Sequence, residues 1–272
     1  MSIDTKTDKL IARKENGIGW VIFNNPAKRN AMSPDMVDGM RIALESFATD
    51  DDVRVVILRG EGDKAFVSGA DISKFAATRS NPEQVREQEA RSEAANRALR
   101  ECPKPTIAMI RGYCMGGGLG VAIACDMRIA TEDSRFGVPA AKLSVGYRYD
   151  GLKRLADVVG PAFTAEIFYL GRQFSAQEAL QMGLVNRVLP AAELEPYVME
   201  YARTMAANAP LTLRAVKRCL IEMRKDPGER DLELCQSMVE ACFASKDFIE
   251  GRTAFMEKRK PAFSGRLGAA LA

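Results

Sequence analysis

The sequence predicts an α/β fold, and three observations carry that prediction. Short apolar segments rich in β-branched residues alternate with helical patterns through the first half of the chain. Glycine-rich turns separate several of these strands from the helices that follow, and from Pro161 onward the pattern is almost wholly helical. Alternation of strands and helices on this scale is typical of layered structures with parallel strands.

The composition is that of a folded globular chain. The 272 residues are 47% hydrophobic and 28% charged, and the absence of histidine excludes His-based triads, imidazole bases and two-His zinc motifs. A net charge of +3 is too small to indicate a nucleic-acid or membrane surface. Six cysteines without a C-x-x-C pair, and no apolar stretch in residues 1–13, predict a cytoplasmic protein with reduced thiols and no metal site.

The first elements have clear sequence signals. Residues 18–23 and 53–58 are predicted strands, and Ser33 followed by Pro34 begins a helix. Residues 65–67 form a further short strand that ends at a glycine turn. Strands of this kind, buried on both faces, predict a sheet covered by helices.

The middle of the chain continues the alternation. Residues 82–101 predict an exposed helix, residues 106–109 a buried strand, and a glycine-dense turn then leads into a small-residue helix ending near Asp126. In the second half, Gly160-Pro161 begins a helix and Ser175 to Glu178 is a capping box.

The last part of the chain contains helical patterns only. We divide the chain into an α/β core over residues 1–200 and a helical region over 201–272. The apolar stripes of those helices need a surface to cover them, and contacts between subunits are the expected one.

Two backbone turns are candidates for binding a ligand: Ser68-Gly69-Ala70-Asp71 after a strand, and Gly116-Gly117-Gly118 before a helix. Neither fits a phosphate-binding G-x-G-x-x-G or Walker pattern. Two amide groups that converge on one oxygen would form an oxyanion hole. Close packing of a helix is the alternative explanation for each turn.

Several stretches resemble the crotonase, or enoyl-CoA hydratase/isomerase, family, and the resemblance runs in order from about residue 10 to 265. The resembling stretches are Asn25–Met32, Phe66–Ile72, Ile110–Gly118, Cys125–Ala130, Phe136–Pro139 and Ala176–Val185.

The resemblance implies a spiral of β-β-α units whose helical C-terminal region forms trimers, often paired into hexamers. It implies an acyl-CoA substrate, with no cofactor besides the coenzyme A of that substrate, whose thioester oxygen accepts hydrogen bonds from the amides of Ala70 and Gly117. It also implies a set of residues that contact coenzyme A: Lys28, Arg29, Ala31, Ala70, Asp71, Ile72, Gly117 and Lys258.

The sequence departs from the family where its hydratases carry two glutamates, because Gly120 and Ala140 stand there. Neither residue can transfer a proton, so ordinary hydratase chemistry is doubtful. Decarboxylation of a malonyl-type thioester needs no such base, since loss of carbon dioxide gives the enolate directly. A glutamate beside the departing carboxylate would repel the substrate.

The segment 143–152 is similar to a loop of family decarboxylases that act on methylmalonyl-CoA, which carry a tyrosine where Tyr147 falls. Those enzymes also use a histidine that this chain lacks. Asp150 is the carboxylate of this loop and the candidate base, or else a helix cap. Arg148 has two possible partners, Asp150 or a substrate carboxylate.

Three functions follow. The first is an enolate-stabilising acyl-CoA enzyme, whose reaction is decarboxylation or another that needs no paired glutamates. The second is a hydratase or isomerase that uses Tyr147 or Asp150. The third is a non-catalytic acyl-CoA or RNA binder, although the only basic faces are modest: Arg97, Arg100 and Lys104, and then Arg214, Lys217, Arg218, Arg224 and Lys225.

Overall fold

The computed structural model describes residues 1–74 and 80–265, and its elements confirm the α/β class. The strands are β1 (Ser2–Ile3), β2 (Leu10–Glu15), β3 (Ile18–Phe23), β4 (Val55–Gly60), β5 (Ala65–Val67), β6 (Thr106–Ile110), β7 (Tyr113–Met115), β8 (Met127–Thr131), β9 (Arg135–Gly137), β10 (Phe174–Ser175) and β11 (Arg187–Leu189). The helices are α1 (Pro34–Thr49), α2 (Pro82–Glu101), α3 (Gly117–Ala124), α4 (Tyr149–Leu170), α5 (Ala176–Gln181), α6 (Ala191–Ala207), α7 (Pro210–Met223), α8 (Leu232–Phe243) and α9 (Lys246–Met256). Short 3-10 turns lie at Pro26–Lys28, Ile72–Lys74, Ala140–Leu143 and Pro227–Glu229.

The strands form two sheets. Seven strands pair in the order β1-β2-β3-β4-β6-β8-β11, and four pair in the order β10-β9-β7-β5. From β3 to β11 every neighbouring pair in the larger sheet is parallel, which requires a long crossover between strands. In three successive passes the chain gives one strand to the larger sheet and the next to the smaller: β4 and β5, β6 and β7, β8 and β9. This is the β-β-α spiral that the resemblance implied.

Most of the predicted elements are found, with shifted ends. The strand predicted over 53–58 runs over Val55–Gly60, because the Val53 amide bonds to the carbonyl of Asp50 in a turn. The helix predicted to begin at Gly160 is the second half of α4, which is kinked there because Gly160 has a φ of 79°. Asp150 is not a helix cap, since the N-cap of α4 is Arg148.

Two apolar clusters hold these layers together. One lies between the two sheets and their covering helices, where the rings of Phe23 and Phe66 meet edge to face with centroids 5.4 Å apart. The other joins the larger sheet to α6 through Leu194, Val198 and Ala202, all buried. The division that the sequence placed at residue 200 therefore falls inside a helix packed on the core.

The described residues contain no strand after Leu189, as the sequence predicted. Helices α7 to α9 leave large apolar side chains exposed. These include Val216, Leu220, Phe243, Phe248 and Phe255. Over the part of the chain that the structure describes, no helix is both long and apolar enough to cross a bilayer.

Candidate active site at two glycine turns

The smaller sheet brings the two glycine turns together. They follow β5 and β7, which are parallel neighbours, so both turns lie at the same edge of the sheet. A Cβ built on Gly117 would lie 3.9 Å from the amide nitrogen of Ala70, and one built on Gly116 would lie 3.9 Å from the Cα of Gly69. The two candidate amides are therefore direct neighbours.

The backbone around Ala70 leaves its amide group without a protein partner. The Met32 amide donates to the carbonyl of Gly69 at 2.8 Å, and the Asp71 amide donates to the carbonyl of Met32 at 2.9 Å. In such a parallel bridge the intervening amide faces away from the partner. The Ala70 N–H makes no hydrogen bond within residues 1–74 and 80–265.

Different glycines of the triplet serve the two purposes that the sequence left open. Gly118 packs α3 against β5, because a Cβ there would lie 2.2 Å from the carbonyl oxygen of Val67. Gly117 is exposed and is the first residue of α3, so its N–H has no acceptor within the helix. The positive end of the helix dipole adds to the attraction for an anion there.

A cavity of about 680 Å³ opens in front of both turns. Its volume lies within the usual range for small-molecule sites. Ala70, Gly117 and Ile72 line it, together with four of the positions that the sequence singled out: Gly120, Ala140, Tyr147 and Asp150. The structure thus brings the predicted oxyanion amides and the predicted reaction residues into one space.

The two positions without glutamate are in the cavity wall. A Cβ built on Gly120 would have no atom within 4 Å, so this part of the cavity is open. Ala140 is buried in the wall of the same cavity, at the start of the 3-10 turn after Pro139. Neither offers a group that can accept or donate a proton.

Tyr147 and Arg148 are held by contacts that the sequence did not indicate. The Tyr147 ring packs edge to face on Phe168, with centroids 4.7 Å apart. Arg148 pairs with Glu89 of α2, its Nε lying 2.6 Å from Oε2, and this carboxylate raises the pKa of Arg148. The protein partner of Arg148 is therefore Glu89 and not Asp150, and its contact with a substrate carboxylate stays a prediction.

One face of α2 lines the cavity, and the sequence analysis missed it. The prediction of a merely exposed helix is wrong for Glu89, Glu93 and Asn96, which are cavity residues. Glu93 joins two arginines, with Arg100 at 2.7 Å and Arg154 at 3.1 Å. The spacing i, i+4 and i+7 was the available signal, because it places the three side chains on one face of a helix.

The residues expected to contact coenzyme A lie beside the Ala70 turn, with one exception. Lys28 Nζ is 2.9 Å from Asp71 Oδ2 and 3.0 Å from Ser73 Oγ. The hydrogen bond from Ser73, and then that from Lys28, hold the pKa of Asp71 below its usual value. Arg29 lies over the ring of Tyr113, 5.2 Å from its centroid.

Of the other two, Ala31 donates its amide to the carbonyl of Lys28 at 3.0 Å, in the same turn. Lys258 is the exception. It follows α9, which packs on α8, and it is exposed. Like Lys28, Arg29, Ala31 and Asp71, it is not among the residues that line the cavity.

Half of the basic residues considered for RNA form ion pairs with other described residues: Arg100, Lys217, Arg218 and Lys225. Arg100 bonds to Glu93, and Lys217 is buried against Asp126 at 2.8 Å. Lys225 lies 2.8 Å from Glu222. These pairs reduce the positive charge that either face presents to a polyanion.

A β-β-α spiral with a cavity at two unpaired amides defines the crotonase class of α/β proteins. The model of the family described as enoyl-CoA hydratase/isomerase matches residues 13–266, and the chain belongs to this family.

Individual relatives agree. The crotonyl-CoA hydratase of Syntrophomonas wolfei is 34% identical over 256 residues, covering 94% of this chain and 98% of the relative. The crystal structure of an enoyl-CoA hydratase/carnithine racemase from Magnetospirillum magneticum superposes with a TM-score of 0.90 at 37% identity, covering 96% of this chain and 97% of the other. The enoyl-CoA hydratase of Bacillus anthracis superposes with a TM-score of 0.88 at 31% identity, covering 95% and 100%.

Proposed function

We propose that this chain is an enzyme that binds an acyl-CoA and stabilises its thioester enolate, with the amides of Ala70 and Gly117 as donors to the thioester oxygen. The observation that carries the proposal is the adjacency of these two unpaired amides at the wall of one cavity. Donors fixed before the reaction, and aimed where negative charge develops, usually make the largest electrostatic contribution to catalysis.

The reaction that this site favours is decarboxylation of a malonyl-type thioester. The bond between the α-carbon and the carboxylate breaks, carbon dioxide leaves, and the electron pair moves onto the thioester oxygen as the enolate. The α-carbon then takes a proton from water or from the Tyr147 hydroxyl. Gly120 and Ala140 support this reaction, because neither side chain would repel the carboxylate.

The carboxylates of α2 do not restore the missing glutamates. Glu89 is bonded by Arg148, and Glu93 is bonded by both Arg100 and Arg154. A carboxylate whose oxygens already accept charged hydrogen bonds from a guanidinium is a weak general base.

Hydration or isomerisation is the second candidate, and Asp150 favours it. This carboxylate is exposed at the cavity wall, in the first turn of α4. In hydration it would take a proton from water as the oxygen adds to the β-carbon, and the α-carbon would gain a proton. The crotonyl-CoA hydratase among the relatives is consistent with this alternative.

Mass spectrometry of two substrates separates the candidates. Purified protein is incubated with methylmalonyl-CoA and with crotonyl-CoA, in parallel with Gly117→Pro, which removes one donor, and Gly117→Ala, which keeps it. The decarboxylase is supported if the wild type and Gly117→Ala convert methylmalonyl-CoA to propionyl-CoA and Gly117→Pro does not. Addition of water to crotonyl-CoA, lost in Asp150→Asn, supports the hydratase.

If neither substrate is converted but the protein binds either thioester, the result would support a non-catalytic acyl-CoA binder. Retention of RNA in place of either thioester would instead favour the RNA-binding alternative. Wild-type activity in Gly117→Pro on either substrate would contradict the oxyanion hole itself.

We further propose that the chain assembles as a homotrimer or a pair of trimers through its C-terminal helices. The exposed apolar side chains of α7 to α9, such as Leu220 and Phe243, support this proposal because exposed apolar patches of this kind usually mark interfaces. Light scattering on a sizing column measures the mass directly, and a monomer would contradict it.

A further inference from the structure

The wall of the cavity that α2 provides carries an unsatisfied amide. Oδ1 of Asn96 is enclosed and has no hydrogen-bond partner in the part of the chain that the structure describes. Nδ2 of the same side chain makes no hydrogen bond to any described residue either. Buried polar groups in folded proteins nearly always have a partner, so the enclosed oxygen of this amide requires an explanation.

The residues around Asn96 are fixed and do not supply that partner. One turn earlier on α2, Glu93 is held by Arg100 and Arg154 at 2.7 and 3.1 Å. A further turn back, Glu89 is held by Arg148. Each guanidinium group therefore bonds to a carboxylate and not to Asn96, although Nη1 of Arg100 is itself unpaired. Asn96 lines the cavity together with Glu89, Glu93, Arg148 and Arg154.

Asn96 and Gly120 line the same cavity, and a Cβ built on Gly120 would have no atom within 4 Å, so the space in front of that position is open. A polar group on the acyl chain of a bound thioester would supply the hydrogen bond that the Asn96 amide lacks in the protein.

We propose that Asn96 is a specificity residue that binds a hydroxyl group on the acyl chain of the coenzyme A thioester. A hydroxyl suits this position because it can accept from Nδ2 and, if the amide turns over, donate to Oδ1. A neutral group suits this wall better than a charged one, because Glu89 and Glu93 are already paired with Arg148 and Arg154. The inference rests on the proposed function only in requiring that the cavity bind an acyl-CoA.

Calorimetric binding of matched thioesters tests this inference. The pairs are 4-hydroxybutyryl-CoA with pentanoyl-CoA, and 5-hydroxypentanoyl-CoA with hexanoyl-CoA, in which a methyl replaces the hydroxyl. The wild type should bind at least one hydroxylated member about fivefold more tightly than its partner, which is the usual worth of one hydrogen bond. Asn96→Leu should lose this preference and keep its affinity for the alkyl thioester.

The control is Arg97→Leu, an exposed neighbour on α2 that does not line the cavity, and it should keep the preference. Asn96→Ala, checked for folding by circular dichroism, repeats the test with a smaller side chain. Equal affinity for both members of each pair in the wild type would overturn the inference while leaving the proposed function standing. It would mean that Asn96 finds a partner within the protein, such as the unpaired Nη1 of Arg100.

A preference that survives in Asn96→Leu and Asn96→Ala would also overturn the inference. No binding of any of the four thioesters would overturn the proposed function, and the inference with it.

Discussion

The cavity has two walls of different construction. The wall made by the two glycine turns is main chain, and it is closely packed on the sheet. A Cβ added at Gly118 would lie only 2.2 Å from the carbonyl oxygen of Val67. The wall made by α2 and the start of α4 is side chain, with ion pairs such as Glu89 with Arg148, and the cavity in front of it is open at Gly120 of α3. The first wall fixes where the thioester oxygen binds, and the second decides which acyl group and which reaction follow.

This difference teaches where substitutions are tolerated. A main-chain wall cannot adjust to an added atom, because moving it disturbs the sheet behind it. A side-chain wall can change its residues while the fold stays the same. Relatives of 31–37% identity that superpose with TM-scores of 0.88 and 0.90 fit this view of a constant frame.

Removal of one donor is the largest expected effect. Gly117→Pro deletes the amide proton at a position where proline is well accepted, the first turn of a helix, so the fold should persist. Turnover should fall about 10²- to 10³-fold, as for a comparable oxyanion donor. Steady-state kinetics measure it, with Gly117→Ala as the control, because its Cβ would meet only the Ala70 nitrogen at 3.9 Å.

Equal turnover in the proline and alanine variants would show that this amide does not contact the substrate. An equal loss of turnover in both variants would mean that the added carbon atoms cause the loss and that the missing amide proton does not.

Two glycines of α3, two residues apart, test how tightly the helix is packed on its sheet side and how open the cavity is in front of it. Gly118→Ala should lower the free energy of unfolding by about 3 kcal/mol, because the new methyl meets a backbone carbonyl that cannot move away. Gly120→Ala on the same helix should instead raise it by about 0.5–1 kcal/mol, since its Cβ has open space and alanine favours the helix. Urea unfolding of both variants checks the signs.

Similar losses in both variants would mean that the wall at Gly120 is as tightly packed as the wall at Gly118. That result would remove the distinction between the two walls.

The hydroxyl of Tyr147 should matter less than either amide. Tyr147→Phe keeps the ring on Phe168 and removes only the hydroxyl, so in a decarboxylase that can take its proton from water we expect turnover to fall less than about tenfold. Kinetics on methylmalonyl-CoA measure the change. A loss as large as that of Gly117→Pro would make the hydroxyl an obligatory proton donor.

The smallest effect lies outside the cavity, at the capping box that supports the smaller sheet. The Arg172 side chain, and then the amide and hydroxyl of Ser175, lower the pKa of Glu178 from 4.5 to about 2. Because the pKa is lower in the folded state, this stabilisation is complete above about pH 4.5 and disappears as the pH falls through 2. Arg172 and Glu178 are both partly exposed, so Glu178→Gln should cost less than about 1 kcal/mol.

Thermal unfolding from pH 7 to pH 2 measures this, with Glu195→Gln as the exposed control. The difference between wild type and Glu178→Gln should shrink toward low pH. A difference that is constant with pH would mean that the charge of Glu178 is not responsible.

The sequence by itself determined the frame of this protein. Local patterns were enough for β3, α1, α2 and the capping box of α5, since strand composition, an N-terminal proline and a Ser-to-Glu spacing act within one element. The family motifs identified both glycine turns and the absence of a carboxylate at Gly120 and Ala140. These features depend on residues close together in the chain.

Only the tertiary structure decided how the second wall is built. The pairing of Arg148 with Glu89 joins residues 59 apart in the sequence, and no local pattern contains such information. The same holds for α2. Its polar composition predicted an exposed helix, but in the fold it packs against α3 and one of its faces lines the cavity. Neighbours in the chain set the conformation of the backbone, whereas the choice of partner for a long charged side chain depends on which distant elements the fold brings within its reach.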